Sequence, residues 1–184
     1  MTGFRMNSFR MRPYIVCCFL VLICGGHELG AEEVYLEPTE FLKEVFGSPL
    51  PEPEVLWITK DRKAITSRIM SHGKGARRVR YWMDDSRSAW ILEEIGKVKP
   101  ITTGYVVKGG KIERVAVLIY RESRGWEVRH KFFTDQFVGA TVDGDYRLDR
   151  RIDGISGATL SVSALTRLGR LALYLAEEID TETK

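Results

Sequence analysis

Hydrophobic positions fall into two rhythms along this chain. From Leu160 to Ile179 they recur at Leu165, Leu168, Leu171, Ala172 and Leu175, the three-and-four spacing of one buried helix face. Arg167, Arg170, Glu177 and Glu178 fall between them and are expected to face solvent. Upstream the rhythm shortens. Ile101 to Tyr120 holds two β-branched and apolar runs around Gly109-Gly110, a pair suited to a primed two-residue turn, and predicts a β-hairpin. Arg78–Met83 alternates, Ala89–Ile95 reads as a further strand, and Val55–Ile58 as a short one. The count is about five strands, with Asp149–Ile152 a candidate sixth. Thr39 is expected to cap a short helix carrying Phe41, Leu42, Val45 and Phe46, ended by Gly47. Thr59 starts another, with Ala64, Ile65, Ile69 and Met70 inward. Between them Ser48–Pro53 is a proline-stiffened connector, and Glu32–Pro38 is a polar lead-in. The predicted fold is α+β. One domain forms an antiparallel sheet with flanking helices, and a long C-terminal helix starts at Ser156-Gly157-Ala158-Thr159.

The N-terminus changes what the charge and the cysteines mean. Arg5, Arg10 and Arg12 precede an apolar run from Tyr14 to Cys24, and small residues lead to Ala31, the pattern of a secretory signal peptide over residues 1–31. An uncleaved anchor is the alternative, although the run is short for a membrane span of about 20 residues. Residues 32–76 then form a helical and extended lead-in, and 77–184 the domain core. Cys17, Cys18 and Cys24 all lie in the signal, so the mature chain would hold no cysteine. That excludes a disulfide, a thiol nucleophile, an iron–sulfur cluster and a Cys-ligated zinc. Any redox group must be organic. The whole chain has 28 basic and 25 acidic residues, and losing three arginines and Glu28 with the signal leaves 25 against 24. Nothing in that balance favours nucleic acid.

Asp153-Gly-Ile-Ser156-Gly157-Ala158-Thr159-Leu160-Ser161 carries the most chemical information. Small residues lead straight into a helix, whose first turn offers unpaired N–H groups and a positive dipole end to an anion. On residue types alone an ordinary N-cap at Ser156 or Thr159 is the better reading. The segment resembles the flavinylation signature of the FMN-binding domain family, which includes subunits of the sodium-pumping NADH:quinone reductase and of the Rnf complex. Upstream, Tyr120-Arg-Glu122-Ser123-Arg-Gly125-Trp126 resembles the family's loop after the hairpin, and Phe132-Phe-Thr-Asp-Gln136-Phe137-Val-Gly139 its short helix. Ser123 and Arg124 depart from the threonine and proline common there. The likeness covers roughly residues 77–178.

The resemblance implies FMN joined covalently to Thr159 by a phosphoester of its ribityl phosphate. Ser156, Gly157, Ala158, Leu160 and Ser161 would form the phosphate site, and Asp153 would be read by a flavin transferase. Trp126 would pack near the isoalloxazine, while Glu122, Ser123, Thr134 and Gln136 could serve its polar edge. The implied function is an exported electron-transfer flavoprotein, periplasmic or held at the outer face of the cytoplasmic membrane, relaying electrons between redox proteins such as a membrane-bound reductase or a cytochrome. Two alternatives stand beside it: a reductase acting directly on a substrate, and a cofactor-free binding or assembly module.

Other constellations are weaker. Lys74-Gly-Ala-Arg77-Arg78-Val-Arg80 is the densest basic patch, and a charged strand edge is its commoner meaning. His72 and His130 lack a second ligand at useful spacing and are expected to be solvated loop residues. Asp84-Asp85 reads as a polar turn.

Overall fold

The computed structural model describes residues 32–73 and 75–182, so the expected export signal lies outside the described residues. Six strands form one antiparallel sheet: β1 (Glu33–Val34), β2 (Glu54–Trp57), β3 (Arg78–Met83), β4 (Ser88–Ile95), β5 (Pro100–Lys108) and β6 (Lys111–Tyr120). Their order is β1-β6-β5-β4-β3-β2, a meander from β2 to β6 with β1 closing one edge. Gly109 and Gly110, at φ +55° and +70°, make the β5–β6 turn as expected.

Helix α1 (Pro38–Phe46) covers one face, where Phe41 and Leu42 pack with Ala89, Val106 and Leu118. The larger core lies on the other face, under α2 (Lys60–Met70) and α4 (Thr159–Glu182). Leu165, Leu168, Ala172 and Leu175 of α4 are buried there against Trp90, Tyr105 and Val117, so the helical periodicity is borne out. Trp90 is fully buried, stacks on Tyr81 at 5.0 Å and donates its indole N–H to Ser88 at 2.9 Å. The molecule is a single α+β domain. Among the described residues no helix is long and apolar enough to cross a membrane.

Several expectations need correction. The sixth strand comes from Glu33–Val34, paired to Ile119 and Tyr120, and Asp149–Ile152 is irregular. Helix α1 begins at Pro38 after Glu37, with no side-chain cap from Thr39. Thr59 does cap α2, accepting from the Arg62 amide at 3.4 Å. The short helix after the hairpin is three pieces: a 3₁₀ turn at Trp126–Arg129, α3 (Lys131–Thr134) and a second 3₁₀ turn at Asp135–Phe137. Arg167 and Arg170 are not solvated. Arg167 pairs with the buried Glu94 at 3.0 Å, and Arg170 donates to the Tyr146 carbonyl at 2.5 Å. His72 is half-buried, with Nε2 at 3.1 Å from the same Glu94 carboxylate.

Candidate functional site

The segment before α4 is a tight turn. The Ala158 amide donates to the Ile155 carbonyl at 3.0 Å, and Gly157 sits inside the turn at φ +82°. That conformation strains any residue with a Cβ, which is why glycine serves here. Ala158 then points its methyl inward and is buried, and α4 begins at Thr159.

The first turn of α4 is left open to an anion. Its first helical hydrogen bond runs from the Val162 amide to the Ala158 carbonyl at 2.9 Å. Among the described residues, the amides of Thr159, Leu160 and Ser161 have no acceptor. No acidic side chain occupies the first turn, and the residue before the helix is an alanine with no oxygen to cap it. A 24-residue helix therefore presents its positive end and three N–H groups to whatever lies outside.

Two hydroxyls of the motif have opposite surroundings. Thr159 is exposed, with no hydrogen-bond partner for its hydroxyl among the described residues. Ser161 is only 4% exposed and shares a 2.9 Å hydrogen bond with Tyr120 Oη. Tyr120 donates its own proton to the Arg124 carbonyl at 2.5 Å, so the Ser161 hydroxyl is the donor of the shared bond. Burial raises the Tyr120 pKa against the opposing pull of Ser161, so the phenol stays protonated. Gly125 lies against this pair at φ +86°. A Cβ there would stand 2.9 Å from Tyr120 Oη, 3.0 Å from Ser161 Oγ and 3.2 Å from the Ala158 methyl. The loop after β6 thus packs directly onto the start of α4. Sequence patterning singled out Gly125 only as a neighbour of Trp126; its contact with a serine 36 residues on leaves no local signal.

Trp126 follows Gly125 and is 42% exposed. Its ring meets His130 edge-on at 5.5 Å, His130 stacks on Phe132 at 6.0 Å, and the Arg129 guanidinium lies 4.9 Å over the indole. Phe132 is 63% exposed and Leu160, on the first turn of α4, 51%. A partly uncovered aromatic cluster therefore starts one residue from the glycine that touches the motif.

Of the remaining candidates, Glu122, Gln136 and Thr134 are committed to the fold. The Glu122 carboxylate accepts from the amides of Lys97, Val98 and Lys99 at 2.5, 2.6 and 2.9 Å and fastens the β4–β5 turn. Burial works against its charge, yet those amides hold it below the ordinary carboxylate value. Gln136 Oε1 accepts from the Asp153 amide at 2.7 Å, which ties the second 3₁₀ turn to the head of the motif. Thr134 is buried, facing the His130 carbonyl at 3.5 Å. Ser123, Asp153 and Ser156 are exposed. No group of three His, Cys, Asp or Glu side chains that could hold a metal occurs among the described residues. Asp84 caps its own turn, accepting from the Ser86 and Arg87 amides at 2.8 Å.

Comparison with known proteins agrees with this geometry. The model of the FMN-binding domain matches residues 96–174, a span from the β4–β5 turn through the hairpin, the Gly125 loop and the first four turns of α4. No curated protein and no solved structure matches. The residues present suit the group, since the phosphate of FMN needs unpaired donors at a positive helix end, and Trp126, Phe132 and Leu160 leave apolar area exposed for its ring. Residues 96–174 thus match the FMN-binding domain family, and that match supports a flavoprotein role with FMN as the cofactor.

Proposed function

We propose that this protein is an exported electron carrier that holds FMN through a phosphoester to Thr159. The observation that carries the reading is the contrast within one helical turn: the Thr159 hydroxyl is exposed beside three unanswered amides, whereas that of Ser161 is buried and engaged. A nucleophilic oxygen for a transferase must be reachable, and Thr159 is. The Thr159, Leu160 and Ser161 amides would bind the phosphate oxygens, and Gly157 and Ala158 keep side-chain bulk from the approach. Asp153, exposed six residues upstream, would serve recognition by the transferase rather than bond a phosphate that its charge would repel.

FMN supplies reversible electron uptake and release. The chain's part is to hold it, orient it over the Trp126 surface and leave it accessible to redox proteins. Two acid–base groups around the motif are already engaged: Glu122 is bound by three amides, and the Tyr120 phenol is tied to Arg124 and Ser161. A covalent link also suits an exported protein, because a dissociated cofactor would be lost there.

The test is anaerobic mixing of reduced, flavin-loaded protein with ferricyanide, and separately with panels of small organic acceptors. Rapid stoichiometric reoxidation by ferricyanide with no turnover of the organic panel is expected. Sustained turnover of one small organic acceptor without any protein partner would make the protein a reductase instead.

A further inference from the structure

The sheet comes apart between β3 and β4. Their ladder joins only Tyr81–Met83 to Ser88–Trp90, and the first half of β3, Arg78–Arg80, pairs with β2 instead. From Ile91 to Ile95, β4 is paired to β5 on one side, while its other edge has no partner strand among the described residues. A cleft of about 430 Å³ fills the gap, walled by β3 and β4 and closed behind by α2 and α4. It is remote from the motif, because Leu171 and Leu175, which line it, lie 12 and 16 residues beyond Thr159, about 18–24 Å along α4.

The two faces of the cleft differ in chemistry. On the α4 side Met70, Val79, Leu92, Leu171 and Leu175 make an apolar wall. On the opposite side stand Arg78 and Arg80, which alternate with the inward Val79 and Tyr81. The acids of β4 are already answered: Glu94 by Arg167 at 3.0 Å and His72 at 3.1 Å, and Glu93 by Thr102 at 2.6 Å and Arg121 at 3.7 Å. The arginines just before and within β3 are not. Arg77, Arg78 and Arg80 have no carboxylate partner among the described residues, and Arg78 only overlies Trp57 at 5.9 Å. The cleft is therefore cationic on one face and apolar on the other, with an unpaired strand edge of five residues, about 17 Å long, between them.

We propose that this cleft receives an extended acidic segment of a partner protein, which adds a short strand to β4 at Ile91–Ile95. Side chains of an added strand alternate between faces. One set enters the apolar wall at Leu92 and Leu171, and the other meets Arg78 and Arg80. The backbone hydrogen bonds of the new strand provide affinity, and the alternation provides selectivity for acidic-apolar repeats. Arg77, Arg78 and Arg80 then act as a receptor for that charge rather than as a blunted edge. A compact anionic amphiphile could use the arginines and the apolar wall, but it would leave the β4 edge unanswered.

The test is fluorescence anisotropy on the purified full chain with a labelled hexapeptide of alternating Glu and Leu. Three comparisons accompany it: a Lys-Leu hexapeptide, the Glu-Leu peptide N-methylated at alternate amides, and decanoate as competitor. Saturable binding of the Glu-Leu peptide is expected, with the Lys-Leu peptide at least tenfold weaker. N-methylation should cost at least tenfold, and so should the Arg78→Glu/Arg80→Glu double substitution, whose folding is checked by circular dichroism. Absence of saturable binding overturns the proposal. So does equal affinity of the N-methylated peptide, and if decanoate then competes in an arginine-dependent way, the cleft is a site for small anionic amphiphiles.

Discussion

Tyr120, the last residue of β6, and Ser161, in the first turn of α4, are joined by a buried 2.9 Å hydrogen bond across 41 residues. Through it the hairpin that dominates the sheet fixes where the terminal helix begins, and so where Thr159 stands. Removing the Tyr120 hydroxyl leaves the buried Ser161 hydroxyl unanswered, at a typical cost of about 1–3 kcal/mol, whereas removing Ser161 leaves the phenol its bond to Arg124. Tyr120→Phe should destabilise the domain by that order in urea unfolding, and Ser161→Ala by less. The double substitution should cost less than the sum of the two. Additive losses would mean that the two residues do not act as a unit.

Gly125 and Gly157 both have positive φ, but only Gly125 is crowded. Gly125→Ala should destabilise by about 1–3 kcal/mol, since the strained φ and the close approach to Tyr120 and Ser161 act together. It should also lower flavin loading. A Cβ on Gly157 meets nothing within 4 Å. Gly157→Ala should therefore carry only the backbone penalty, about 1 kcal/mol. Thermal melts of the two variants, with flavin absorbance per protein, check the order.

Acid should loosen the β4–β5 turn. The folded domain holds Glu122 below its ordinary value of 4.5. Its contribution is thus fully present above the unfolded value and is lost as pH falls through the lower, folded one. Wild type should lose more stability than Glu122→Gln between neutral pH and pH values below 4.5. Parallel pH profiles for the two proteins in urea unfolding would show that the three amides do not depend on the carboxylate charge.

Trp126 is the indole expected to report the cofactor. Its fluorescence should be strongly quenched in the flavin-loaded protein and recover in the unloaded Thr159→Ala form, and Trp126→Phe should remove most of that difference. Trp90 is fully buried in the main core, and Trp57 lies on β2 at the far edge of the sheet from β6. Equal quenching with and without Trp126 would place the ring elsewhere.

The periodic parts of the fold were readable from the sequence because their signals are local. Leu165, Leu168, Ala172 and Leu175 repeat at helical spacing, and the Gly109-Gly110 pair marks the hairpin. What stayed hidden depends on distant partners. Glu33–Val34 is two residues long and becomes a strand only against Ile119–Tyr120. Arg167 looks like a solvated helix position until Glu94, 73 residues earlier, arrives beneath it. At the site, the exposed Thr159 lies where the motif suggested. Glu122 and Gln136 carried no sign that their acceptors would be taken by the Lys97–Lys99 turn and by the Asp153 amide.

The central claim is that Thr159, and no other hydroxyl, carries the flavin. Intact-mass spectrometry of the protein co-produced with a flavin transferase tests it directly. Wild type and Ser161→Ala should each gain the mass of one FMN less one water, Thr159→Ser a reduced fraction of it, and Thr159→Ala none. An undiminished adduct in Thr159→Ala, or none in wild type, would contradict the account.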